Sequence, residues 1–252
     1  MGAAVDKKVG EWFGPVTAAY VARRLIDRHV ASPVRVYVNQ EQTVYKDLAV
    51  HVATSSGAAG TKGSNLGLNQ GSMSASAASA SAFKPLLLLL PVRLGIEQLN
   101  AVYIPFVREC LSLPQSVGIA GGKPCRSLFF VAHQDEEIFY LDPHVPQTAG
   151  HVDEQRIFPV DSYHCSSVRA TEIRRIDPTM LIAFLCETRE SLDDFCERMT
   201  KFNEKAAASG GTACIHVVEE APPFVRDAEI TMRQVKGSPA MQAVESTDFE
   251  IL

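Results

Sequence analysis

Asp142 and His144, separated only by Pro143 in the run YLDPH at residues 140–144, are the pair whose types and spacing could do acid–base chemistry. In extended backbone, residues two apart point to the same side. Pro143 fixes one torsion between them and limits how far the pair can drift. A carboxylate held against one imidazole nitrogen sets the tautomer and leaves the other nitrogen free to work on a thiol or a substrate. The same three residues also describe a turn in which Asp142 caps and Pro143 stiffens. Spacing alone leaves both readings open.

A thiol would be the natural partner of such an imidazole, and cysteines stand at 110, 125, 165, 186, 196 and 214. They show neither CxxC pairs nor zinc-ligand spacing, so reduced thiols in a cytoplasmic protein, with no metal and no cofactor, are expected. Cys110 and Cys196 fall in helical patterns, Cys186 in a strand pattern and Cys165 in a turn. Cys125 directly follows Gly121, Gly122, Lys123 and Pro124 and is the one rival as a nucleophile.

The elements that must position these residues follow from periodicity. Pro15 suits a first helical position, and Val16, Ala19, Tyr20 and Leu25 recur at helical spacing, which predicts a helix to about Arg28. Val34 to Val38 alternates like a strand. Residues 54–82 collapse to Ser, Ala and Gly and are expected to form a low-complexity disordered insertion at 54–83. Leu86 to Leu94 reads as a buried strand, and Ile96, Leu99, Val102, Tyr103 and Phe106 as a helix bent by Pro105. Residues 127–131 and 137–141 read as a hairpin, with Asp142 where its second strand ends. Met180 to Cys186 is another strand pattern, followed by a helix capped by Ser191 and running to about Phe202. The organisation expected is one folded domain built from 1–53 and 84–204, with a mostly flexible tail at 205–252 containing one strand near 213–218.

Bulk composition narrows the function classes. The chain has 252 residues, 46% of them hydrophobic, which is enough for a full core. Its 24 basic and 29 acidic side chains give a net charge of -5, which offers no attraction for nucleic acid. The most apolar run, Leu86 to Leu90, is far short of the roughly 20 residues that span a bilayer. The N-terminus lacks the apolar core of a secretory signal.

Several segments resemble the autophagy-related cysteine protease (autophagin) family: PQSVGIAGGKP at 114–124, YLDPH at 140–144, GEWFGP at 10–15, LLPVRLG at 89–95 and YHC at 163–165. Further matches are IDP at 176–178, FLC at 184–186 and DFC at 194–196, so that most of residues 9–202 is covered. The resemblance implies an α+β, papain-like cysteine protease fold, with Asp142 and His144 as catalytic acid and imidazole. It implies a thiol endopeptidase that trims the C-terminus of a ubiquitin-like autophagy modifier to expose glycine and releases the modifier from lipid. Membrane contact would then come only through the lipid-linked substrate. Trp12, whose bland alternative is a core anchor, would clamp the narrow substrate tail together with Gly121, Gly122, Lys123 and Pro124 of a mobile loop. The ending FEIL resembles a modifier-binding motif, with Phe249 and Leu252 filling two pockets of a sheet edge; a frayed terminus is the alternative.

One departure matters. The family carries its nucleophile in a TSDxGWGCMLR-like segment before the tryptophan, and the 252 residues contain no such run. The chain is therefore expected to be N-terminally incomplete and inactive as it stands. The alternative is a pseudoprotease that binds the modifier without cutting it. Arg169, Arg174 and Arg175 are expected to form a solvated basic face.

Overall fold

A computed structural model describes residues 13–29, 31–55, 82–123, 126–144, 164–165, 167 and 169–234. Its centre is a mixed seven-stranded sheet built from β1 (Arg35–Val38), β3 (Leu86–Arg93), β4 (Ser116–Lys123), β5 (Arg126–Gln134), β6 (Glu137–Leu141), β7 (Arg169–Glu172) and β8 (Thr179–Cys186). The strand order is β1-β3-β8-β4-β5-β6-β7; β1 and β3 are parallel and every other neighbouring pair is antiparallel. A small parallel pair, β2 (Thr43–Tyr45) with β9 (His216–Val218), lies apart from it. The α+β class expected from the sequence is what the structure has.

The unbroken apolar run in β3 follows from burial on both faces. Leu86, Leu88, Leu90 and Val92 enter the main core, while Leu87 and Leu89 face a second cluster beneath α1 (Pro15–Arg28). In β8, Met180, Ile182, Phe184 and Cys186 belong to the main core, and Leu181 and Ala183 to the second. Pro91 is accommodated because β1 pairs only as far as Leu89, so β3 is an edge strand on that side beyond it. The main core is closed by α2 (Lys46–Thr54), α3 (Ile104–Ser112) and α4 (Arg189–Ala208), with Phe184 and Phe195 rings 4.8 Å apart.

Four local expectations are corrected. Residues 96–106 do not form one helix: Ile96 is 83% exposed, Asn100 caps a short helical turn at Ala101–Tyr103, and Pro105 sits in the first turn of α3 and starts the helix. The cap of α4 is Thr188, whose hydroxyl accepts from the Ser191 amide at 3.2 Å, so Ser191 lies inside the helix. The glycine-rich segment is not a loop up to Lys123; it is β4. Gly118 has φ +133 beside a register shift, and a Cβ there would stand 2.7 Å from the Phe130 carbonyl, so the strand needs glycine for close packing.

The fourth correction concerns the tail. Parts of residues 205–229 pack onto the body: Cys214, Ile215 and Ala221 are buried, and Asp47 Oδ1 accepts the Ala221 amide at 2.9 Å. The helix α5 (Pro223–Gln234) is tied to α1 by a buried Arg23–Glu229 ion pair at 2.9 Å. The polar composition hid this because the segment contributes few apolar residues and anchors through buried polar contacts. The insertion at 56–81 and residues 235–252 lie outside the described residues.

Glu229→Ala removes the 2.9 Å partner of the buried Arg23 guanidinium and leaves a longer contact to Asp27 and the face of the Tyr20 ring. A loss of about 3 kcal/mol is expected in urea unfolding, the scale of a broken buried pair. An unchanged midpoint would mean that α5 is not part of the cooperative fold.

Candidate active site

The β5–β6 hairpin turns at Asp135, whose φ of 49 suits an aspartate in the left-handed region. β6 is then flanked on both sides, with Phe129 opposite Leu141 on β5 and Arg169 opposite Tyr140 on β7. Both neighbours run antiparallel to β6, so their first residues, Arg126 and Arg169, reach the end of β6 where Asp142 emerges.

At that end one carboxylate organises everything. Asp142 Oδ1 accepts from His144 Nδ1 at 2.7 Å and from the His144 backbone amide at 3.1 Å. The two sequence readings are therefore not exclusive: the same oxygen closes the turn and holds the ring. Asp142 Oδ2 accepts from Arg126 Nη2 and, at 3.1 Å, from Arg169 Nη1. The Asp142 side chain is only 4% exposed, whereas that of His144 is 46% exposed.

These contacts hold the Asp142 carboxyl down at about 2: the His144 ring hydrogen bond is the largest cause, then the His144 amide, with Arg126 adding to them against partial desolvation. An ionised carboxylate only accepts hydrogen bonds, so His144 carries its proton on Nδ1. In the neutral ring Nε2 then carries the lone pair, and among the described residues no hydrogen bond occupies it. That is the arrangement of a general base facing solvent.

The other site residues divide. Gly121, Gly122 and Lys123 lie on β4, opposite Leu128, Ser127 and Arg126, so this arm leads directly to the residue that touches Asp142. A Cβ on Gly122 would stand 2.4 Å from the Arg126 carbonyl, and Lys123 Nζ lies 5.5 Å over the Tyr140 ring. Trp12, Pro124, Cys125, Phe249 and Leu252 lie outside the described residues.

Among the described cysteines, burial raises the thiol of Cys110, that of Cys196 to about 11, and those of Cys186 and Cys214 to about 12. Such thiols stay protonated at neutral pH and lack nucleophilic character. Cys165 is exposed and donates to the Ser167 carbonyl at 3.0 Å. No described cysteine is hydrogen-bonded to His144.

Arg126 and Arg169 are the site residues that sequence reasoning missed. Sequence proximity groups Arg169 with Arg174 and Arg175 as a solvated face. The latter two do stay there, Arg175 3.0 Å from Glu172 and Arg174 3.8 Å from Glu136. Arg169 does not, and only the register of the short strand β7 reveals it.

A model of the Peptidase C54 catalytic domain matches residues 1–198, which include Asp142 and His144. The chain is 32% identical over 265 residues to cysteine protease ATG4A of Mus musculus, a match that covers 100% of this chain and 66% of the relative. It is 31% identical over 261 residues to ATG4A of Homo sapiens (99% and 65%) and 29% over 259 residues to ATG4B of Xenopus laevis (100% and 66%). The chain thus spans just under two thirds of the length of these relatives. It belongs to the Peptidase C54 family, a family of papain-like cysteine peptidases, and the mixed sheet with its packed helices fits that fold.

Because its pKa is lowered, Asp142 favours the folded state above its ordinary value of 3.8, and that contribution is lost as pH falls toward 2. A carbon-detected NMR titration of its carboxyl is expected to show a midpoint near 2. A midpoint at 3.8 would contradict the geometry.

Proposed function

We propose that Asp142 and His144 are the acid and imidazole of a thiol endopeptidase whose nucleophile comes from protein sequence outside these 252 residues. The observation that carries this reading is the 2.7 Å contact between His144 Nδ1 and an ionised Asp142, with Nε2 left open. A cysteine brought to Nε2 loses its proton to the imidazole and attacks the scissile carbonyl, forming a thioester as the imidazolium protonates the leaving amine. Water, deprotonated by the same nitrogen, then releases the acid.

The substrate class is the C-terminal region of a ubiquitin-like autophagy modifier, cut to expose glycine, and the same chemistry applies to its lipid-linked form in the cytoplasm. Membrane contact comes through that substrate; among the described residues no helix is long and apolar enough to cross a membrane. Trp12 and the Gly121–Pro124 arm would enclose the narrow tail, which a residue without a side chain passes most readily. Support for this reading comes from membership of the family and from the position of β4, whose end adjoins Arg126 and the acid.

The buried, protonated state of four described cysteines favours one second reading, a binding protein that holds the modifier without cutting it. Both readings keep Phe249 and Leu252 as a modifier-binding tail.

Two experiments separate the outcomes. In protein that includes its upstream sequence, cleavage of a modifier precursor is followed by mass spectrometry. His144→Ala is expected to lower turnover on the order of a million-fold and Asp142→Asn about ten-thousand-fold. Undiminished cleavage in either variant would sink the catalytic assignment, and capture without any cleavage by the unsubstituted protein would favour the binding reading. Separately, Phe249→Ala with Leu252→Ala is expected to weaken modifier binding about tenfold or more, a loss of roughly 1.4 kcal/mol. Unchanged affinity would remove the tail from the recognition surface.

A further inference from the structure

Asp142 presents two oxygens with separate duties. Among the described residues, Oδ1 accepts only from His144, through its ring and its amide, and Oδ2 only from two guanidinium groups. The guanidiniums arrive from opposite sides, Arg126 from β5 and Arg169 from β7, with β6 between them. Their side chains are 49% and 51% exposed, so each keeps part of its hydration while its tip neutralises a carboxylate that is itself only 4% exposed. Burying that carboxylate with a neutral imidazole as its sole partner would leave its charge uncompensated.

We infer that Arg126 and Arg169 are positioning residues: together they lock the Asp142 carboxylate in one rotation, so that Oδ1 faces His144 and fixes the ring for catalysis. This rests on the reading of Asp142 and His144 as the acid–imidazole pair, and extends it to residues that never touch substrate. Without the pair of guanidiniums the carboxylate is free to turn about its terminal torsion, a broad and roughly two-fold barrier, and to exchange its oxygens. Two arginines, each able to present a planar fork of donors, hold it where one flexible ammonium would not.

The clamp also sets the sign of charge at the site. Two guanidiniums against one carboxylate leave a surplus of positive charge on the far side of Asp142 from the imidazole. A thiolate approaching Nε2 then meets a field that favours it, where an uncompensated carboxylate would oppose it. Arg126 has a further constraint. It pairs with Lys123 across the arm, and Gly122 must lack a side chain because a Cβ there would meet the Arg126 carbonyl. The glycine that the resemblance placed in a mobile loop thereby keeps the backbone of the clamp in register.

The test uses the 252-residue chain and needs no proteolysis. Arg126→Gln, Arg169→Gln, the double Gln variant and the two Lys variants are compared by two NMR readouts: the Asp142 carboxyl titration and the downfield proton of a hydrogen-bonded His144 Nδ1–H. Amide spectra confirm the fold of each variant. Each single Gln variant is expected to raise the Asp142 midpoint above about 2, and the double variant to raise it further with loss of the downfield proton. Lys variants are expected to keep the midpoint low, because the charge remains, while broadening the downfield proton, because the fork is gone. A folded double variant with both signals unchanged overturns the proposal. Should the double variant unfold, unchanged signals in both single Gln variants overturn it in the same way. Absence of the downfield proton from the unsubstituted chain, with a carboxyl midpoint at 3.8, would instead refute the underlying Asp142–His144 pairing.

Discussion

The antiparallel pairing of β8 with β3 on one side and β4 on the other is the constraint on which the remaining structure depends. β8 joins the N-terminal strands β1 and β3 to the strands that carry the site, and its alternate residues feed two cores at once. Met180, Ile182 and Phe184 fix one face and Leu181 and Ala183 the other. A one-residue slip would exchange those sets, so the register is set by burial. Once β4 is placed, β5, β6 and β7 follow as successive antiparallel neighbours, and the position of Asp142 is decided by where β6 stops.

From that placement the chemistry follows with few further choices. The first residues of β5 and β7 are brought to Asp142, the residue that follows β6, and both are arginines. Asp142 is ionised because it is surrounded by donors, and His144 is oriented because Asp142 has one oxygen to spare for it. The open Nε2 is the product of this sequence of contacts. The geometry supports the proposed acid and imidazole, and the described buried cysteines are kept protonated by desolvation.

Much of this was legible in the sequence where a pattern maps onto one local element. The β3 and β8 runs, the Pro15 helix and the end of β6 at Asp142 were readable because burial on two faces, a first-turn proline and a strand–turn boundary each leave a local signature. What failed depended on distant partners. β4 reads as a glycine-rich loop because its glycines are required by the Phe130 and Arg126 carbonyls of the neighbouring strand. Residues 205–234 read as a tail because their attachment runs through Asp47 and Arg23, far away in sequence. Arg126 and Arg169 were invisible as site residues because no local rule places the starts of two strands beside the end of a third.

The catalytic assignment proposed for His144 requires that it activate a cysteine lying outside these residues. Its most direct measurement is to react protein expressed with its upstream sequence with a glycine-tailed modifier bearing a thiol-reactive C-terminus, and to map the modified cysteine by mass spectrometry. A single labelled cysteine outside residues 1–252 is expected, with labelling abolished by His144→Ala. Labelling at Cys125, or labelling that persists undiminished in His144→Ala, would contradict it.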